Sequence, residues 1–278
     1  MATIIPMAGT GSRFSKEGYL LPKPLIPVSG EPMIARVIQA LPRSGKLIFL
    51  VREEHIQKYG IQKVIKGEAP DAIIVPVKGT TQGQASTCML AMPYVEKDEE
   101  VLIASCDNSF LYNKKEYAKL TGDNSNDAVV WTFTKNRILE EHPEAWGWVI
   151  LEEDGKAVKG MSVKKPVSGN PYNDHAVVAS FYFRRAADFQ RAYNSMVSEN
   201  YRIGSEYYVD AMPLFLKKMG KRSVIFDVEL YVGWGKPSDL YLYQLWEHRI
   251  RHNITPENSG ERREYLLWKK FFESLRIH

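Results

Sequence analysis

Short apolar runs alternate with longer amphipathic stretches through the first half of this 278-residue chain, and Gly, Pro and Asp punctuate the joins. Thr3 to Met7, Lys46 to Val51, Ile73 to Pro76 and Val101 to Ser105 are brief, rich in Ile and Val and bounded by turn residues, a pattern that predicts buried strands. Between them, Met33, Val37 and Leu41 recur every four residues after Pro32. Ala85, Met89 and Met92 recur at three or four before Pro93, so each set marks one face of a helix. Strand and helix in alternation predict parallel strands joined by helical crossovers.

The second half changes character. Ala128 to Phe133, Trp146 to Leu151, Ala157 to Val163, Ala176 to Phe183 and Ser223 to Val232 read as strands, with Glu153-Asp154-Gly155 as a hairpin turn. The whole is expected to be an α/β fold, a Rossmann-like, doubly wound, predominantly parallel mixed sheet flanked by helices. Residues 186 to 197 and 207 to 219 have helical period, and Pro237 opens another helix reaching about His252. A turn-rich break, Asn253 to Gly260, precedes a last helix from about Glu261 to Leu275. Leu267, Trp268, Phe271, Phe272 and Leu275 form one broad face of it, which is expected to dock on the parent domain rather than on a partner. The expected organisation is one domain over 1–245 and a helical extension over 246–278.

Composition adds exclusions. With 44% hydrophobic and 25% charged residues the chain is neither disordered nor fibrous. Lys and Arg exceed Asp and Glu by 37 to 33, and residues 246–278 supply half of that +4, from seven basic against five acidic residues. The remaining body is nearly neutral and lacks the broad basic face of a nucleic-acid binder. Cys88 and Cys106 are too few for a disulfide framework or a zinc cluster, which suits a reducing cytoplasm. No apolar run reaches the ~18 residues of a membrane span, and no basic segment followed by a long apolar stretch opens the chain. A soluble, unprocessed, cytoplasmic protein without nucleic-acid or membrane partners is expected, with a homo-oligomer left open.

The chemistry begins where the first strand ends. In Ala8-Gly9-Thr10-Gly11-Ser12-Arg13-Phe14, two glycines one residue apart let the backbone approach a ligand and aim N–H groups at an anion. A Walker A loop would need Lys-Ser/Thr after its second Gly, and Ser12-Arg13 stands there instead. A dinucleotide loop needs a third small residue where Phe14 stands. A ligand-free turn is the remaining alternative for the loop in isolation. The next segment weighs against a ligand-free turn. Pro22-Lys23-Pro24-Leu25 sets a Lys between two prolines in a stiff stretch, well suited to a fixed positive charge near phosphates, and Arg13 and Lys23 can converge on one polyphosphate.

Taken together, Gly9-Thr10-Gly11-Ser12-Arg13, Pro22-Lys23-Pro24-Leu25-Ile26-Pro27-Val28 and Gly30-Glu31-Pro32-Met33-Ile34 resemble, in order and spacing, the opening signature of the sugar nucleotidylyltransferases, the pyrophosphorylase-like NTP transferases. The resemblance runs to about residue 245. It implies that backbone and side chains of Ala8, Gly9, Thr10, Gly11 and Ser12, with Gln82 and Gly83 of Thr80-Thr81-Gln82-Gly83-Gln84, bind the nucleotide. Arg13 and Lys23 would act on the triphosphate. Asp107, where apolar sequence stops in Ser105-Cys106-Asp107-Asn108, resembles the family's metal-binding Asp and would hold Mg²⁺; its bland alternative is a turn former. Lys165 of Val163-Lys164-Lys165-Pro166 and Glu206 of Gly204-Ser205-Glu206-Tyr207-Tyr208-Val209-Asp210 match positions that hold the acceptor. Gly233-Trp234-Gly235-Lys236-Pro237-Ser238-Asp239-Leu240 resembles the closing motif.

Two departures stand out. Ser180 replaces the usual glycine of its strand, and Gly233 stands where many members place a second metal carboxylate. Period-two alternation puts Asp227, Glu229, Tyr231 and Gly233 on one strand face, with Glu229 ~13 Å from Gly233, too far to substitute for it. The implied activity is transfer of NMP from an NTP to a phosphorylated acceptor, a sugar 1-phosphate first, with release of pyrophosphate, for polysaccharide or glycoconjugate precursors as in capsule-associated members. Two alternatives remain: a CTP-dependent cytidylyltransferase acting on a small phosphate such as phosphocholine, and a nucleotide-sensing regulatory subunit without transfer. A dinucleotide-dependent oxidoreductase is remote.

Overall fold

The computed structural model describes residues 1–42 and 45–275. Its first strand, Ala2–Met7, lies in the middle of a nine-stranded sheet. On one side it pairs in parallel with Lys46–Arg52, which pairs in turn with Ile73–Val77. On the other it pairs in parallel with Val101–Ile103. There His175–Phe183 enters antiparallel and joins Ala128–Phe133, which is followed in parallel by Ser223–Asp227, and the hairpin of Gly147–Leu151 with Val158–Val163. Only His175–Phe183 and Val158–Val163 run against the direction shared by the rest. The expected α/β, doubly wound, mostly parallel mixed sheet is thus present.

Alternation along the strands explains why both faces are covered. Ile5 and Met7 point into one core layer and Ala2 and Ile4 into the other; Val129, Trp131 and Phe133 divide from Ala128 and Val130 in the same way. One layer receives the helices Met33–Ala40, Pro237–Arg251 and Ser259–Ser274, the other Gln84–Met89, Ala186–Ser198 and Met212–Lys218. Burying apolar area on both sides at ~25 cal/mol per Å² is the main force holding such layers together.

The expected strand Ser223 to Val232 is two strands. Ser223–Asp227 belongs to the large sheet, whereas Leu230–Gly233 pairs antiparallel with Asn108–Leu111 in a separate two-stranded ribbon. Tyr231 and Gly233 therefore share a face of the ribbon, and Asp227 and Glu229 do not lie on it. Asp227 accepts from Thr132 Oγ1 at 2.7 Å and lies 3.0 Å from His175 Nδ1, while Glu229 turns outward to Lys270. The switch moves the Gly233 segment beside Asn108, and so beside Asp107.

The helix Pro237–Arg251 runs through position 246 without a break. The following helix buries Tyr265, Trp268, Phe271 and Phe272 in the same layer as Ile5 and Met7 of the first strand, with Trp268 stacked on Trp246 at 5.8 Å between ring centres. Leu267 and Leu275 are only partly buried at its margin. Residues 276–278 of the extension lie outside the described residues.

Candidate nucleotide site

Met7 ends the first strand at the carboxyl edge of the parallel strands, where doubly wound sheets bind ligands. The chain turns through Ala8 to Gly11 into a short helix, Ser12–Lys16. Gly11 has φ +64°, and a Cβ on it would stand 3.2 Å from the Lys23 Cβ. The turn and the Pro22-Lys23-Pro24 segment are therefore packed on one another through that glycine. A Cβ on Gly9 would meet nothing within 4 Å, so its bareness serves no internal contact. Gly9 faces a cavity of about 380 Å³, walled on this side also by Ala8 and Thr10. Thr80, Thr81, Gly83, Gln84 and Thr87 line it as well, with Glu206 against Gly83, and Lys23 and Asp107 stand at its charged end. That volume lies within the range of small-ligand sites.

The charged end is built around one pair. Lys23, held in a 3₁₀ turn between its two prolines, donates from Nζ to Asp107 Oδ2 at 2.6 Å, and the side chains are 19% and 22% exposed. Ser105 Oγ donates to the other oxygen, Oδ1. Burial by itself disfavours the ammonium, but the Asp107 carboxylate outweighs it and holds the Lys23 pKa above the ordinary value. Burial likewise works against the Asp107 carboxylate, and Lys23 with the Ser105 hydrogen bond reverses the outcome and holds its pKa low. Both groups are charged. The Cys106 thiol between them and the strand is pushed up to about 11 by burial and stays neutral. Arg13 is exposed, and its positive charge acts on Lys23, Asp107 and Asp239 together, which brings it to the same end of the cavity.

A loop rich in backbone donors, a locked cation and a carboxylate at the sheet edge have the chemistry that a polyphosphate would require of its site. Residues 3–194 match the family model described as the MobA-like NTP transferase domain. The chain belongs to that family. This NTP transferase domain is 26% identical over 219 residues to the bifunctional protein GlmU of Carboxydothermus hydrogenoformans, covering 78% of the chain and 46% of the relative. It is 26% identical over 266 residues to GlmU of Methanococcus vannielii, covering 94% and 57%. The chain thus spans about half the length of the curated relatives it matches. Its fold is that of the nucleoside-diphosphate-sugar pyrophosphorylase from Vibrio cholerae, with TM-score 0.69 and 21% identity over 87% of this chain and 98% of that one. The inositol-1-phosphate CTP transferase from T. maritima superposes with TM-score 0.65 at 16% identity, covering 88% and 94%.

Not every residue to which the sequence points faces the cavity of this NTP transferase domain. Gln82 does not line it. Its Oε1 accepts from Arg202 Nη2 at 3.0 Å, and the Arg202 guanidinium lies 4.1 Å above the Tyr207 ring. Gln84, two residues on, lines the wall in its place, with the threonines around it; two glutamines among polar neighbours carry no signal for which one turns inward. Gly83, at φ +119°, is required by close approach, since a Cβ would stand 2.6 Å from the Tyr207 carbonyl oxygen. The Gln82 carbonyl accepts from Tyr207 N–H at 2.8 Å, so the same contact fixes Glu206 at the cavity rim. Ser12 opens its short helix exposed, outside the cavity lining, and Lys165 is likewise exposed beyond it. Lys165 follows Lys164, whose φ of +63° marks a tight turn, and its carbonyl accepts from Ser162 Oγ at 2.6 Å.

Two residues to which the motifs give no role also stand here. Tyr231 packs on Gly233: a Cβ there would stand 3.0 Å from the Tyr231 hydroxyl and ring edge. Asp239, in the first turn of Pro237–Arg251, approaches Asp107 across Gly235. Burial first, and then the nearby Asp107 charge, raise the Asp239 pKa despite Lys236 beside it. Its signal in the sequence is weak because Pro-Ser-Asp reads simply as a helix start. Among the described residues, no group of three or more His, Cys, Asp and Glu could hold a metal unaided. The hard oxygen donors at hand are Asp107 and Asp239, of the chemistry a divalent cation takes when phosphate and water complete its shell.

Proposed function

We propose that this domain transfers a nucleotidyl group from an NTP to a phosphorylated acceptor, most simply a sugar 1-phosphate, and releases pyrophosphate. The observation that carries the reading is the Lys23–Asp107 pair at the charged end of a cavity walled by Ala8, Gly9 and Thr10 of the glycine loop. The acceptor phosphate is already an anion, so no Ser, Cys or His nucleophile and no strong base is needed. One of its oxygens attacks the α-phosphorus, a new P–O bond forms, and the bond from the α-phosphorus to the bridging oxygen breaks as pyrophosphate departs.

The work of the chain is then positional and electrostatic. Backbone N–H groups of the Gly9 loop receive phosphate oxygens, and the open space around Gly9 admits them. Lys23 and Arg13 offset the charge that builds on the leaving pyrophosphate. Asp107 would hold Mg²⁺ with triphosphate oxygens and water, supplying neutralisation that lets an anion approach the α-phosphate. For that, Lys23 passes from Asp107 to the triphosphate when nucleotide binds. Thr80, Thr81 and Gln84 offer hydrogen bonds to the base. Glu206 at the rim, with Lys165 brought in from the exposed turn that follows Val163, would receive the acceptor. Supply of precursors for polysaccharide or glycoconjugate synthesis is the corresponding role, and the pyrophosphorylase fold of the Vibrio cholerae protein is its support.

The test is pyrophosphate release from each of four NTPs against a panel of phosphorylated sugars and small alcohols, with Mg²⁺ and with chelator. Release with one pairing, abolished by chelator and by Asp107→Asn, is expected. Nucleotide binding without release under every pairing would favour a sensing role instead.

A further inference from the structure

The backbone of Gly233 to Gly235 is locked against Asp107. Gly233 pairs with Asn108 in the two-stranded ribbon, and Trp234 N–H donates to the Asp107 carbonyl at 2.8 Å. Trp234 is fully buried against Tyr243, so this segment has no freedom to slide. No side chain longer than hydrogen fits at 233 without displacing Tyr231, whose ring is stacked 4.5 Å from Phe133 and packed edge-on to Trp146. A carboxylate facing Asp107 has to come from elsewhere.

Gly235 shows where it comes from. The point at which a Cβ would stand on Gly235 lies 3.2 Å from Asp107 Oδ2 and 3.8 Å from Asp239 Oδ2. Two carboxylate oxygens thus face one small gap that any other residue at 235 would fill. The other oxygen of Asp239, Oδ1, lies 3.7 Å from Lys236 Nζ, so Oδ2 is left toward the gap. Asp107 is held by the ribbon and Asp239 by the first turn of a fifteen-residue helix, so the convergence is fixed by backbone. Lys23, donating to the same Asp107 Oδ2, already places one positive charge at this gap.

We propose that Asp239 is the second carboxylate of the metal site, acting with Asp107 across the bare Gly235, directly or through a metal-bound water. The inference rests on the reading of Asp107 as a metal ligand and extends it to a residue far along the chain that also begins a helix. A capping role alone would need only an acceptor oxygen, which Asn retains. A metal role needs the charge.

Mn²⁺ binding to the full-length chain, followed by EPR in the presence of inorganic pyrophosphate, separates the two. Asp239→Asn is expected to weaken Mn²⁺ affinity by about tenfold or more, the scale on which metal-site partners act, with an unchanged circular dichroism spectrum. Gly235→Ala is expected to weaken it as well, by filling the gap, and Asp210→Asn, a buried carboxylate elsewhere, is expected to leave it unchanged. If Asp107→Asn weakens Mn²⁺ binding and Asp239→Asn does not, Asp239 is a helix cap and the inference is overturned while the Asp107 reading stands. If neither substitution changes Mn²⁺ affinity, both fall together.

Discussion

Lys23 Nζ and Asp107 Oδ2 meet at 2.6 Å although 84 residues separate them in the chain. The contact joins the segment after the glycine turn to the end of the Val101–Ile103 strand. Removing the ammonium leaves a largely buried carboxylate without its cation. Lys23→Ala is therefore expected to lower turnover by about tenfold or more and to cost roughly 1–3 kcal/mol of stability. Steady-state pyrophosphate release and urea melts read the two effects. Parent-like turnover in a folded variant would remove Lys23 from the chemistry.

The two glycines of the turn are expected to respond differently. Gly9 has open space around it and Gly11 has both a left-handed backbone and Lys23 against it. Gly9→Ala should melt with the parent and bind nucleotide more weakly, because the methyl group enters the cavity. Gly11→Ala should lose about 1 kcal/mol or more from its backbone conformation alone. Thermal melts with and without NTP distinguish them.

Burial pushes the Asp210 carboxyl up to about 6, against an ordinary 3.8, with its Oδ2 lying over Gly147. A raised carboxylate pKa means that the native state holds the proton more tightly than the unfolded chain. The penalty is absent below about pH 4 and complete above about pH 6. Asp210→Asn should therefore stabilise the protein by about 1–3 kcal/mol at pH 8 and by little at pH 4. Denaturant melts at the two pH values check the sign; an equal gain at both would mean that the carboxylate is not titrating between them.

Trp268 ties the last helix to the rest through its stack on Trp246 and its contact with Tyr243. Truncation to Ala should cost about 3–5 kcal/mol, as for other buried aromatic residues. KM for nucleotide should change little, because Trp268 is not among the residues that line the candidate nucleotide cavity. A large KM change at unchanged stability would place this helix in the site.

Much of this molecule is legible in local sequence. Ile and Val runs bounded by turn residues form the parallel strands, and Gly9-Thr10-Gly11 followed by Pro22-Lys23-Pro24 marks the cavity at the sheet edge, since period and turn chemistry depend on neighbours within a few positions. Tertiary structure decided what neighbours cannot. Ser223 to Val232 reads as one strand, yet it divides between two sheets because its halves find different partners, Ala128–Phe133 and Asn108–Leu111. Gln82 is drawn out of the cavity by Arg202, 120 residues away, and Gly233 is held bare by the Tyr231 ring. Asp239 faces Asp107 only because a ribbon and a helix start meet at Gly235. The sequence by itself determined which segments bear charge and which are buried; long-range pairing determined which of those charges share a space, because such contacts are set by the packing of whole elements and leave no periodic trace along the chain.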